Sequence, residues 1–331
     1  MQAIVCHRHG SPDVLQQEDI PAPALGAGQV RIAVHACGIN FPDVLMVAGR
    51  YQVQPELPFV PGAELAGEIL ECAPGVRGLE PGQRVLALVG HGGLAEEACV
   101  DAARVVPIPG SMDFDTAAGF LLAWGTAHHA LKQRAALAAG ETLLITGAAG
   151  GVGLCAVQLG RLAGATVIAA ASSDDKLDVA RRYGAEYTIN YTRDSLRERV
   201  RELTDGRGAD VIYDPVGGEL FDQCLRSVAW NGRILVIGFA SGTIQSIPAN
   251  LPLLKGCSVV GVFWGRFVEL EPEASAANLR ELLGHVAAGR LQPHVSQVFP
   301  LAEAGAALAS LAARKAVGKV VVRVRETPDS G

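Results

Sequence analysis

No excess of basic residues marks this chain. Its 331 residues include 28 lysines and arginines against 34 aspartates and glutamates, a formal net charge of −6. It therefore has no electrostatic footprint for nucleic acid or for an anionic membrane surface. The arginine-rich stretch 193–207 does not change this, because Asp194, Glu198, Glu202 and Asp205 alternate with the arginines as on a solvated helix face. Metal-binding spacings are missing as well. The seven cysteines are odd in number, scattered and never spaced C-x-x-C, and none of the eight histidines forms an H-E-x-x-H pair. The cysteines read as small core residues. The opening residues MQAIVCHRH lack the apolar length of a secretory signal, so the cytosol is the expected location and disulfides are not expected. The run 142–160 is free of charge over nearly the length of a membrane span, but five glycines inside it argue against that use.

What is present is apolar material: hydrophobic residues make up 49% of the chain, enough at this length for two globular domains. The run ITGAAGGVGL, residues 145–154, places four glycines between an apolar stretch (141–146) and a helical pattern (151–163). A strand, a glycine turn and a helix N-terminus present free N–H groups and a positive dipole end to an anion such as a pyrophosphate. Ala149, Gly150, Gly151 and Val152 form the expected cradle. The G-x-G-x-x-G fingerprint is not fully met, because Ala148 stands at its first glycine, ahead of Gly150 and Gly153. A turn that only packs helix on strand is the competing reading.

Strand and helix patterns alternate from the turn onward, with strands expected at 165–170, 187–190, 209–213, 233–237 and 258–263. That alternation implies an α/β, doubly wound parallel sheet of the Rossmann type over residues 124–264. Residues 1–123 differ, with short alternating runs punctuated by Pro-Gly pairs, as in an irregular β-barrel-type domain. The segment 265–331 shows helices at 274–288 and 302–313 and one strand at 319–324. One strand cannot fold alone, so this segment is expected to return to the N-terminal domain, with the ligand site in the cleft between domains.

The stretches GINFPDVLMVAGRY (38–51), PGAELAGEI (61–69), PGQRV (81–85) and GETLLITGAAGGVGLCAVQLGR (140–161) resemble the zinc-free quinone oxidoreductase branch, which includes the zeta-crystallins, of the medium-chain dehydrogenase/reductase superfamily. The resemblance covers nearly the whole chain and implies a Rossmann domain inserted in a GroES-like catalytic domain. Zinc-dependent relatives carry ligands where this sequence has Asn40 and Ala63, so no metal is expected, and no Lewis acid to polarise an alcohol. The implied chemistry is hydride transfer from a nicotinamide to a small electrophile. Tyr51, Asn40 and Asp43 are the implied catalytic residues, with Asn40 and Tyr51 also touching the cofactor. Asn40 and Asp43 equally suit capping of a helix at 42–47, and for Asp43 capping is the favoured reading.

NAD enzymes place an acid at the end of the second strand, but here that position reads Ala170-Ala171-Ser172-Ser173. Ser172 and Ser173 with Lys176 suit a 2′-phosphate, and the resemblance adds Tyr191 and Arg314. NADPH is therefore the expected cofactor. The resemblance places Thr126 at the nicotinamide end, while Gly238, Phe239, Phe263 and Trp264 end strands on the ligand edge of the sheet. The expected activity is NADPH-dependent quinone reduction. The alternatives are reduction of an enone or 2-enoyl thioester double bond, and non-catalytic NADPH binding. The uncharged segment 257–263, an expected sheet edge, points to a homodimer.

Overall fold

The computed structural model describes residues 1–325. The chain opens with an antiparallel pair, β1 (Gln2–Cys6) and β2 (Leu15–Asp19). Five further strands follow: β3 (Gln29–Ile39), β4 (Glu64–Cys72), β5 (Arg84–Leu88), β6 (Glu97–Asp101) and β7 (Val105–Pro107). Helices α1 (Phe41–Val47) and α2 (Phe114–Ala118) are short, and α3 (Leu121–His129) leads out of this part of the chain. Alternation along β3 explains its two-sided packing. Val30, Ile32 and Val34 bury into one core with Leu65, Ile69, Val85 and Val100, while Cys37 and Ile39 join a second core with Met46 and Val47 of α1.

The middle of the chain alternates β8 (Thr142–Ile145), α4 (Gly151–Leu162), β9 (Thr166–Ala171), α5 (Asp174–Arg182), β10 (Tyr187–Asn190), α6 (Leu196–Leu203), β11 (Ala209–Asp214), α7 (Glu219–Ser227) and β12 (Val228–Val236). Then come α8 (Asn250–Lys255), β13 (Ser258–Gly261), α9 (Trp264–Leu270) and α10 (Pro272–Ala287). The six strands are parallel in the order β10-β9-β8-β11-β12-β13, the doubly wound arrangement whose direction reverses between β8 and β11. Leu144, Ile168, Ile212 and Ile234 pack with Leu196, Val200, Phe221 and Leu225 of α6 and α7. Leu143 and Val167 instead meet α4 at Gly160, where an added Cβ would lie 2.5 Å from Leu143.

The chain ends in β14 (Val295–Pro300), α11 (Ala304–Ala312) and β15 (Lys319–Arg323). β15 runs antiparallel to β3 and completes a seven-stranded sheet, β14-β15-β3-β4-β5-β7 with β6 also on β3. Two compact units result: Met1–Leu122 with the chain from Pro293 on, and Ala123–Gln292.

Three sequence expectations differ from this arrangement. The return to the first unit begins at Pro293 and not at residue 265, because α10 is fastened within the second unit. Lys132 pairs with Glu281, Gln133 and Asn278 exchange amide hydrogen bonds at 2.9 and 3.2 Å, and Gln158 bonds the backbone of Gln292 at 2.9 and 2.8 Å. The returning segment holds two strands, not one; β14 escapes a hydropathy reading because it is an edge strand with alternate residues exposed. β13 stops at Gly261, so Phe263 and Trp264 open a helix and do not close a strand.

Candidate functional site

In the second unit the site is built around the glycine turn at the point where strand order reverses. The Thr146 N–H donates to Tyr213 O and the Ala148 N–H to Ala170 O, each at 3.1 Å, which ties the turn to both neighbouring strands. The left-handed backbone position is Gly147, with φ of 55°, and Ala148 does not need one. That is why alanine is tolerated at the first fingerprint position. Gly150 caps α4 and has no side chain to occupy the N–H groups of the first turn. Gly153 cannot be anything larger without movement, since a Cβ there would sit 2.3 Å from Gly147 O. Asp214, at the end of β11, braces the same turn. Its carboxylate accepts from Thr146 Oγ1 at 2.5 Å and from the Val216 and Gly217 N–H groups at 3.0 and 3.2 Å. Burial pushes the Asp214 carboxyl up, and those hydrogen bonds oppose the shift.

At the ends of β9 and β10 the structure gathers Ser172, Ser173, Lys176 and Tyr191. Ser173 is the N-cap of α5, Lys176 Nζ donates to Ser172 Oγ at 3.3 Å, and the Tyr191 N–H donates to Ala171 O at 3.2 Å. Asp174 sits among them with its carboxylate bonded to Asn190 and Arg193. Elsewhere in this unit, the Trp264 ring lies against Gly125, where an added Cβ would be 2.5 Å away, which places it beside buried Thr126. Phe239 approaches Gly217, whose Cβ would be 3.2 Å from its ring, and Phe263 is exposed.

In the first unit, Asn40, Asp43, Glu64 and Lys319 form a buried polar cluster. Lys319 Nζ donates to Asn40 Oδ1 at 2.6 Å, to Glu64 Oε1 at 2.9 Å and to Ile39 O at 3.1 Å. Asn40 Nδ2 donates to Glu64 Oε1 at 2.9 Å and to Gly38 O at 3.3 Å, so both of its amide hydrogens are committed. Glu64 Oε2 accepts the Leu122 N–H at 2.9 Å, at the N-terminus of α3. Asp43 receives the Asn40 N–H at 2.7 Å, the capping contact expected of it, while its Oδ1 is buried with no partner among the described residues. Burial pushes its carboxyl up to about 7, against the pull first of the Asn40 N–H and then of Lys319. Tyr51 packs half-buried on the adjoining core, and its phenol is pushed up by burial and then by Asp43. Arg314 belongs to this unit, just past α11, in a left-handed conformation with φ of 56°.

Comparison with known proteins gives these clusters a context. A family described as the alcohol dehydrogenase GroES-like domain matches residues 26–110, and one described as zinc-binding dehydrogenase matches residues 151–281. A quinone oxidoreductase-like protein 2 homolog from Nematostella vectensis is 43% identical over 328 residues, spanning 98% of this chain and 89% of its own. The chain belongs to the quinone oxidoreductase family of the medium-chain dehydrogenase/reductase superfamily. The quinone oxidoreductase of Thermus thermophilus, solved alone and with NADPH, aligns with a TM-score of 0.86 at 35% identity, covering 98% of this chain and all of that one (100%). A 2-haloacrylate reductase from a Burkholderia species is 33% identical, over 97% of this chain and 98% of its own. In this chain the first unit is the GroES-like part and the second the Rossmann part. Sequence reading missed Glu64, Lys319, Asp214, Asn190 and Arg193. Glu64 lies inside the quoted motif PGAELAGEI, and Lys319 directly precedes the apolar run VVV (320–322), a signal for a buried charge in need of a partner.

Proposed function

We propose that this protein is a zinc-independent, cytosolic NADPH-dependent quinone reductase. The observation that carries the reading is the glycine turn at the strand-order reversal, where doubly wound sheets take dinucleotides, with Gly150 capping α4 and Gly153 letting that helix pack closely on Gly147. The cradle fits the group: the N–H groups around Ala149, Gly151 and Val152 suit a pyrophosphate, with Gly150, whose own N–H donates to Gly147 O at 2.9 Å, keeping side chains off the approach, and Ser172, Ser173, Lys176 and Tyr191 suit a ribose 2′-phosphate. When bound, NADPH supplies the hydride. Thr126, Trp264, Phe263, Gly238 and Phe239 are assigned to its nicotinamide side, and Arg314 to its phosphate side.

A divalent metal fits poorly in the first unit. The Asn40 carboxamide oxygen already accepts from the Lys319 ammonium, and Ala63 has no ligand atom. Of the three catalytic candidates, Tyr51 is assigned to the acceptor. Its raised pKa keeps the phenol protonated, so it can donate a hydrogen bond or a proton to a carbonyl oxygen as the hydride arrives at the acceptor. Asn40 and Asp43 hold α1, and through it the segment that carries Tyr51.

The test is NADPH oxidation, followed by absorbance, against quinones, enones and 2-enoyl thioesters. Turnover with quinones, unaffected by prolonged chelation, is the expected result. Turnover confined to activated double bonds would favour the second reading, for which similarity to the haloacrylate reductase speaks. NADPH binding without turnover of any acceptor would leave a non-catalytic binding protein.

We also propose a homodimer. β13 is the last strand of its sheet, exposed Leu253 and Leu254 lie on the preceding α8, and exposed Trp230 packs against Gly256. Val260→Lys should convert a sedimenting dimer to monomer or aggregate; a monomeric wild type at micromolar concentration excludes the pairing.

A further inference from the structure

Asp174 stands where an NADPH enzyme should not want it. It is the first residue of α5, directly after Ser172 and Ser173. A free carboxylate there would repel a ribose 2′-phosphate and accept hydrogen bonds from an unphosphorylated ribose. Both of its oxygens are instead engaged from the end of β10. Asn190 Nδ2 donates to Oδ1 at 3.1 Å and Arg193 to Oδ2 at 2.7 Å. Asn190 is buried and itself oriented, its Oδ1 accepting from Thr192 Oγ1 at 2.7 Å and the Thr192 N–H at 3.2 Å. Parallel pairing of Asn190 with Ala171 fixes this amide beside the end of β9. Arg193 also lies 3.6 Å from Asp194, so it is an arginine between two acids and one of them is Asp174. Hydrogen bonds from Asn190 and then Arg193 hold the Asp174 carboxyl below the usual carboxylate range, so the acid stays charged and needs a counter-charge.

We infer that Arg193 is a specificity-determining residue: by capturing the Asp174 carboxylate it removes a repulsive charge from the 2′-phosphate subsite and so sets the preference for phosphorylated ribose. The inference rests on the NADPH reading above. Arg193 acts through Asp174, not by touching the nucleotide; Lys176 and Ser172, bonded to each other on the α5 side, are the groups that meet the phosphate. The Arg193–Asp174 pair is exposed, with side-chain exposures of 62% and 56%, so its loss leaves the fold intact.

Calorimetric binding of adenosine 2′,5′-bisphosphate and of adenosine 5′-monophosphate, which differ only by the 2′-phosphate, isolates this subsite from turnover. Arg193→Ala should weaken the bisphosphate about tenfold, the scale of one partly screened charge pair, and leave the monophosphate unchanged or tighter. Adding Asp174→Asn to that variant should restore the bisphosphate, as should Arg193→Lys in part. An unchanged ratio in Arg193→Ala overturns the inference. A double variant that stays weak overturns it too, since Arg193 would then be a direct phosphate ligand. A wild type with no preference for the bisphosphate fails earlier, at the NADPH reading itself, and takes the inference with it.

Discussion

In the first unit Lys319, Asn40, Glu64 and Asp43 hydrogen-bond one another inside a protein core, whereas in the second unit a glycine caps α4 and leaves its N-terminus without a side chain over it. The first arrangement is closed. Among the described residues each side chain has a partner within the cluster except for one oxygen of Asp43, and groups held this way fix a local shape. The second is open, made by glycine where side chains would have filled the space. The carboxylates of the two units show the same contrast. Burial pushes both Asp43 and Asp214 up, but Asp214 has a hydroxyl and two N–H donors, whereas one oxygen of Asp43 has no partner among the described residues.

The closed cluster breaks hardest. Lys319→Met leaves Glu64 buried without its cation and should cost about 3–5 kcal/mol in urea unfolding, with Glu64→Gln added to it recovering part of the loss. If the single variant unfolds like wild type, the cluster is not holding the first unit together. Next comes Asp43. Its folded pKa of about 7 lies above the ordinary 3.8, so the native state binds the proton more tightly. Its contribution to stability is then greatest at low pH and declines as pH rises from about 4 to about 7. Asp43→Asn should therefore gain on wild type across that window, by a few kcal/mol at its upper end, read as a pH-dependent difference in Tm. A difference that is flat with pH contradicts the assignment.

The open site is sharpened by two smaller effects. Gly153→Ala forces a Cβ against Gly147 O and should weaken NADPH binding about a hundredfold by fluorescence titration, with NADH falling equally. Lys176→Ala should weaken NADPH by about one to two decades while barely moving NADH, since a charge-assisted hydrogen bond is worth about 1.5–3 kcal/mol. Equal losses for both nucleotides on Lys176→Ala would show that the lysine does not read the 2′-phosphate.

The open site was legible in sequence because its parts are neighbours. The turn, the helix it opens and the serines after β9 lie within a short stretch whose periodicity and glycines announce them. The closed cluster was half legible. Asn40 and Asp43 share one motif, but Lys319 is 279 residues from Asn40, and only the pairing of β15 with β3 brings them together. Local patterns carry no record of such pairings. The same limit hid β14, half-exposed at a sheet edge, and the attachment of α10, which depends on single polar contacts such as Gln133 with Asn278.

The return of β15 to β3 also sets the order in which the chain can fold during synthesis. The second unit is continuous, Ala123–Gln292, and all six strands of its sheet have emerged before the first unit has its last two. The first unit must hold residues 36–39 of β3 uncovered on the flank whose other half β6 already pairs, and Glu64 without its ammonium, until β15 arrives. Closing that distance is the entropically slow step, so the unit that begins first finishes last.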